Sequence, residues 1–202
     1  MRKDYDNWNP LSVDEMVAIM DSIPVTWCFA GGWALDLYIG RQTREHGDID
    51  IVLFHDEQAT MLDGLAKNWR IYKADQGELS NWEPGEALTT VKDVWVSKDE
   101  HSPFTFQLML VDRKDGAWIY HRERTIQRPE KDIIAMTSEG IPYLKPEIQL
   151  LYKGGSSEIR EKDHRDFQNV LPLLTLEERE WLKNALDRQF PGGHVWMAVM
   201  GQ

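Results

Sequence analysis

The sequence predicts an α+β fold, a mixed β-sheet with flanking helices followed by a smaller helical region. Three observations carry this. Apolar runs of strand length alternate with stretches of helical spacing as far as about residue 121, Gly, Pro and Asp-Gly signals punctuate them, and after Pro129 the apolar period becomes that of helices throughout. A chain of 202 residues holds one domain with a sizeable core, or a compact domain with a helical appendage. The expected division is residues 1–125 for the sheet part and 126–202 for a helical region packed on it, with a soft boundary and a cleft between them as the default pocket.

The elements follow in order. Leu11 to Met20 places apolar residues at helical spacing behind Ser12, a suitable N-cap, and stops before Pro24. Val25 to Ala30 reads as a strand, Gly31-Gly32 as a turn, and Trp33 to Ile39 as a helix closed by Gly40. Asp48 to Phe54 is a strand, Glu57 to Asn68 an amphipathic helix, and Trp69 to Ala74 the next strand. Leu88 to Val96, Phe104 to Val111 and Ala117 to His121 are strand candidates, the last two joined by Arg113-Lys114-Asp115-Gly116. The sheet is expected to end there. Lys145 to Lys153, with Pro146 suited to a first helical turn, then Lys162 to Leu173 and Leu176 to Phe190 read as helices.

Composition narrows the function. With 42% hydrophobic and 28% charged residues the chain is an ordinary globular one, and no apolar run reaches the length of a membrane span. Asp4, Asp6, Asn7 and Asn9 occupy the place of a signal peptide's apolar segment, so a cytoplasmic protein is expected. Cys28 lies in an apolar run and reads as a small buried hydrophobe. A formal net charge of −11 argues against long nucleic acid as a partner and suits a small cationic one. Nine Trp residues are many for this length; most are expected in core or rim packing, and several can line a pocket for a flat or amphipathic small molecule. The six His residues are scattered without metal-ligand spacing, so no zinc site is expected. Gly154-Gly155-Ser156-Ser157 follows a helix without a P-loop lysine and reads as an interhelix loop rather than a phosphate cradle.

The chemistry concentrates in Asp48-Ile49-Asp50-Ile51. In a strand, Asp48 and Asp50 share one face while Ile49 and Ile51 enter the core. Two like charges that close are unfavourable unless a cation lies between them, and magnesium takes one or two carboxylates together with phosphate oxygens and water. The plainer alternative is a solvated acidic strand face. Gly31-Gly32 before a helix lets backbone N–H groups approach an anion. Arg41, Thr43, Arg44 and His46 add donors suited to a triphosphate, or else form a solvated basic loop.

The string from Gly31 to Asp50 has the form GGWxxDxxxGRxTRxHxDxD. It resembles the aminoglycoside 2''-adenylyltransferase and lincosamide nucleotidyltransferase branch of the DNA polymerase β-like superfamily. Ile141 to Lys153 and Lys162 to Phe167 are similar to the helical half of the same family, so the resemblance spans roughly residues 11 to 185. It implies a nucleotidyltransferase domain in which Gly31 and Gly32 hold the triphosphate and Asp48 and Asp50 ligate Mg2+, with Mn2+ as the alternative ion. Thr43 and Arg44 would contact the nucleotide, and Lys153 and Lys162, which otherwise read as exposed helix charges, would reach it from the helical half. The implied reaction moves a nucleoside monophosphate, AMP from ATP being the first choice, to a hydroxyl of a small acceptor such as an aminoglycoside or lincosamide, and releases pyrophosphate.

One position departs from the family pattern. Members that modify a sugar hydroxyl carry a third carboxylate on the neighbouring strand, where this chain has Gln107. Either Asp112 or Asp93 takes that role from a shifted position, or the acceptor needs little deprotonation, or transfer is slow or lost. Two alternatives to small-molecule transfer follow: nucleotidylation of a macromolecule, and a non-catalytic nucleotide- or partner-binding module on the same scaffold.

Overall fold

The computed structural model describes residues 2–200, and the elements are α1 (Val13–Met20), β1 (Trp27–Ala30), α2 (Gly31–Ile39), β2 (Asp50–Phe54), α3 (Gln58–Leu65), β3 (Arg70–Asp75), β4 (Glu78–Asn81), β5 (Asp93–Ser97), β6 (Phe104–Lys114), β7 (Ala117–Ile119), β8 (Gln127–Pro129), β9 (Ile134–Met136), β10 (Pro142–Leu144), α4 (Pro146–Gly154), α5 (Glu161–Val170), α6 (Leu176–Gln189) and α7 (Met197–Met200). The order in the sheet is β4-β3-β5-β6-β2-β1-β10-β9, with β7 and β8 continuing from the far end of β6. β2 runs parallel to β6 and antiparallel to β1, so the sheet is mixed. The α+β class read from the sequence is the one observed.

Local signals explain most elements. Ser12 caps α1 reciprocally with Glu15, leaving few orphan N–H groups. Gly40 closes α2 at φ 79°, a conformation that penalises any other residue. Asp115 and Gly116 both have positive φ, the requirement of the tight turn between β6 and β7. Along β6, Phe104, Phe106, Leu108 and Leu110 are buried, while Thr105, Gln107 and Met109 are only half-buried on the other face. β2 is buried from Ile51 through Phe54, as its central place demands.

Three expectations are corrected. Regular pairing of β2 begins at Asp50, so Asp48 precedes the strand instead of starting it. Residues 88–92 are irregular, and β5 starts at Asp93. The sheet does not end near His121: β8, β9 and β10 carry it to Leu144, and β10 lies parallel to β1. Each of these late strands has three residues, too few to show a period of two, and Glu78–Asn81 was missed for the same reason.

The helical half docks through α4, every residue of which is buried, and through aromatic packing at the chain's far end. The Trp196 ring stacks on Phe167 of α5 at 4.2 Å, and its indole N–H donates to His164 Nδ1 at 2.9 Å. A Cβ at Gly154 would come within 2.6 Å of that ring, so the end of α4 has glycine where the indole lies. Trp196→Ala should therefore cost about 3–5 kcal/mol, read as a fall in the urea midpoint with unchanged slope.

Candidate functional site

At the edge where β1 gives way to α2, the backbone and one carboxylate meet. Gly31 has φ +64°, and a Cβ there would fall 2.0 Å from Asp50 Oδ2. Only glycine leaves room for the Asp50 side chain over the start of α2. The Gly31 N–H donates to Gln149 Oε1 of α4 at 2.8 Å, a buried bond that ties the two halves together beside the carboxylate. At Gly32 a Cβ would meet the His46 ring at 2.3 Å, so the second glycine admits the loop instead.

That loop is fastened by side chains. Asp36 of α2 accepts from Thr43 Oγ1 at 2.6 Å and pairs with His46 Nε2 at 2.5 Å, the Asp36 and His46 side chains being almost wholly buried. Arg44 donates through Nε and Nη2 to the two oxygens of Asp166, each at 3.1 Å. Asp166 also pairs with Lys153 Nζ at 2.8 Å, and Lys153 reaches Asp163 at 3.1 Å, which in turn holds Arg160 at 2.7 Å. A continuous chain of charges thus links the Arg41–Gly47 loop, α4 and α5.

Between the halves lies a cleft of about 480 Å3 lined on one side by Gly31, Asp48, Asp50, Gln107 and Met109, and on the other by Lys153, Ser156, Ser157, Arg160 and Lys162, with Arg122 at its border. Burial, and then the neighbouring Asp48 charge, raise the Asp50 carboxyl well above the ordinary carboxylate range, against the pull of Lys153 and Lys162. Two mutually repelling oxygen donors beside cations form a donor set for a hard divalent ion and a polyphosphate. Among the described residues no group of three or more His, Cys, Asp or Glu side chains gathers to hold a metal ion. A magnesium ion here would draw its other ligands from phosphate and water, as it commonly does.

A family model described as aminoglycoside-2''-adenylyltransferase matches residues 12–170. The chain belongs to that family. Membership makes this adenylyltransferase-family protein a nucleotidyltransferase. No curated protein sequence matches it. Among solved structures it is similar to the lincosamide antibiotic adenylyltransferase LnuA with lincomycin bound, at 24% identity and TM-score 0.56, covering 82% of this chain and 100% of that one. It is also similar to ANT(2'')-Ia in complex with adenylyl-2''-tobramycin, at 12% identity and TM-score 0.56 over 87% and 95% of the two chains. The solution structure of ANT(2'')-Ia agrees, at 16% identity and TM-score 0.59 over 89% and 91%. At these identities the solved structures establish the nucleotidyltransferase fold and nothing finer.

The structure gathers Gly31, Asp48, Asp50, Gln107, Lys153 and Lys162 of this family member around one cleft. It leaves Thr43 and Arg44 off the cleft lining, engaged with Asp36 and Asp166. Asp112 also lies outside: it pairs with Lys92 at 2.7 Å and Arg124 at 3.4 Å. An odd number of steps along the strand separates it from Gln107, which puts the two on opposite faces of β6. Sequence reasoning missed Arg122, Arg160 and Gln149, each isolated in its local pattern. The 154–157 segment does lead from α4 toward α5 as an interhelix loop, and Ser156 and Ser157 in it also line the cleft.

A second cavity, of about 510 Å3, is lined by Trp33, Asp36, Tyr38, Glu139 and Tyr143 among others. It shares no lining residue with the cleft that holds Asp50, so the chemistry is assigned to the cleft.

The charge chain sets a pH dependence. Burial opposes ionisation of Asp166, but Arg44 and Lys153 outweigh it and hold the carboxyl below its ordinary value. Arg160 and Lys153 do the same for Asp163. Such groups stabilise the fold fully above the unfolded value of about 3.9, and the contribution is lost as pH falls through the lower folded value. Asp166→Asn should cost about 3 kcal/mol at neutral pH, and the variant should lose less further stability than wild type when urea midpoints are followed to about pH 2.5.

Proposed function

We propose that this chain transfers a nucleoside monophosphate, AMP from ATP being the expected case, to a hydroxyl of a small and cationic acceptor, an aminoglycoside or lincosamide antibiotic, with Mg2+ or Mn2+ as the ion. The observation that supports it most is the opposition, across one cleft, of the Asp48–Asp50 pair and the Lys153, Arg160 and Lys162 cations. A triphosphate with its ion has a place for each of its charges there: the ion on the carboxylates, the phosphate oxygens on the cations.

The two parts of the chain then do different work. Residues 1–125 supply the carboxylates, the close-packed glycine edge and Arg122, and residues 126–202 supply Lys153, Arg160 and Lys162. Asp48 and Asp50 would hold the ion, which when bound supplies charge neutralisation at the phosphates. Lys162, Arg160 and Arg122 would orient the phosphates, while Lys153, held by Asp163 and Asp166, fixes α4 and α5 against each other behind that wall. The acceptor oxygen forms a bond to the α-phosphorus as the bond to the bridging oxygen breaks. Pyrophosphate departs with that electron pair, and the hydroxyl proton passes to solvent. Gln107 cannot take the proton, because a neutral amide has no useful basicity. Positioning and electrostatics do most of the work in such a reaction.

The intact carboxylate pair favours catalysis over a scaffold that only binds. An acidic chain, at net charge −11, favours a small cationic acceptor over tRNA or DNA. Asp48→Asn and Asp50→Asn should each lower pyrophosphate release by a factor of about 10²–10³ or more, with little loss of stability. Thermal shift of the wild type with each nucleoside triphosphate and Mg2+ should reveal the preferred base. Saturation at about a hundredfold over Kd gives about 2.7 kcal/mol, and the shift should vanish in Asp50→Asn. Wild-type turnover in either variant would refute the reading.

A further inference from the structure

Gln107 stands in register with Asp50 on the adjacent strand, so the two side chains share the face that opens on the cleft. On its other side, β5 places Asp93 opposite Met109, one side-chain step along the same face. Gln107 Nε2 donates to Asp93 Oδ1 at 2.8 Å. A carboxylate only accepts hydrogen bonds, so this contact decides which way round the amide lies: its NH2 is turned toward Asp93 and its carbonyl oxygen away from it. Among the described residues, no protein donor satisfies Gln107 Oε1. Asp93 itself is absent from the cleft lining and opens into a small recess of about 100 Å3 behind it, lined also by Met109, Arg122 and Tyr152.

We propose that Gln107, oriented by Asp93, presents its carbonyl oxygen to the Asp48–Asp50 edge as a third, neutral oxygen donor for the divalent ion. Asp93 is then a positioning residue and does not receive the acceptor's proton. An amide oxygen is an acceptable ligand for hard cations, weaker than a carboxylate by its missing charge. Residues that orient metal ligands through hydrogen bonds commonly carry a large share of the affinity. The arrangement keeps three oxygen donors at the site while leaving two negative charges there, with the third charge set back by the length of one glutamine side chain. This inference rests on the proposed metal-dependent transfer.

The test is Mn2+ binding to the full chain with a non-hydrolysable ATP analogue, read from the electron paramagnetic resonance of free Mn2+. Gln107→Leu should weaken binding about tenfold, by loss of the oxygen. Asp93→Asn should weaken it by a similar factor, because an asparagine can donate to the glutamine oxygen and turn the amide round. The double variant Asp93→Asn with Gln107→Glu exchanges amide and carboxylate across the same hydrogen bond, and should bind Mn2+ at least as tightly as wild type. It also guards against a single variant that merely misfolds. If both single variants hold Mn2+ at wild-type affinity while Asp50→Asn loses it, the inference is overturned. It is overturned equally if Asp93→Asn loses only turnover, as removal of a general base would produce. Wild-type Mn2+ affinity in Asp50→Asn would instead overturn the metal reading on which the inference stands.

Discussion

The structure depends on a helix that has no solvent face. Every residue of α4 is buried, yet the helix carries Glu147, Gln149 and Lys153. A buried polar group without a partner costs far more than a hydrogen bond gains, so each of the three forces another part of the chain into place. Glu147 draws Arg128 against it, Gln149 takes the Gly31 N–H, and Lys153 calls in two aspartates from α5. The helix therefore works as a clamp whose jaws are electrostatic. It fixes the sheet edge that carries Asp50 relative to the helices that carry Arg160 and Lys162.

The same arrangement explains why a loop that reads as basic and solvated is not free, although Arg41, Gln42, Glu45 and Gly47 stay exposed. Arg44 shares Asp166 with Lys153, so the loop's position and the clamp's are one problem. His46 and Thr43 close on Asp36, and the second glycine of the pair is needed to let the imidazole in. The long motif from Gly31 to Asp50 thus divides by purpose. Asp48, Asp50 and Gly31 line the cleft, while Asp36, Thr43, Arg44 and His46 hold the backbone that presents them.

How much of this could be read beforehand follows from the range of the forces involved. Elements with a local signature were legible: the Ser12–Glu15 cap, the Gly40 stop, the Asp115-Gly116 turn and the alternation along β6 each depend on neighbours within a few residues. The short strands β8 to β10 were not, because three residues stabilised by a distant partner leave no periodic trace. At the site, Asp48 and Asp50 stood out through their spacing and Gln107 through a departure from a pattern. Arg122 and Arg160 did not, since an arginine becomes a cleft residue only when the fold brings distant segments around it. Asp112 misled because it is the nearest acid along β6, although it faces away from Gln107 and is held by Lys92.

The charge of the chain acquires a clearer meaning once the cleft is known. A net −11 would repel a nucleoside triphosphate at a distance, yet the wall opposite Asp50 carries Lys153, Arg160 and Lys162, set beside Glu158 and Asp163. The field that a triphosphate meets is therefore local and short-ranged, within about a Debye length of 8–10 Å at physiological salt, while the wider acidic surface acts on whatever approaches from farther off. On the proposed reading, a cationic acceptor would be drawn in by the outer field, and the inner field would select its partner. The two substrates of a transfer reaction that differ in sign can in this way be served by one surface, provided the cations are confined to the cleft and pinned there by buried acids, as Asp163 pins Lys153 and Arg160.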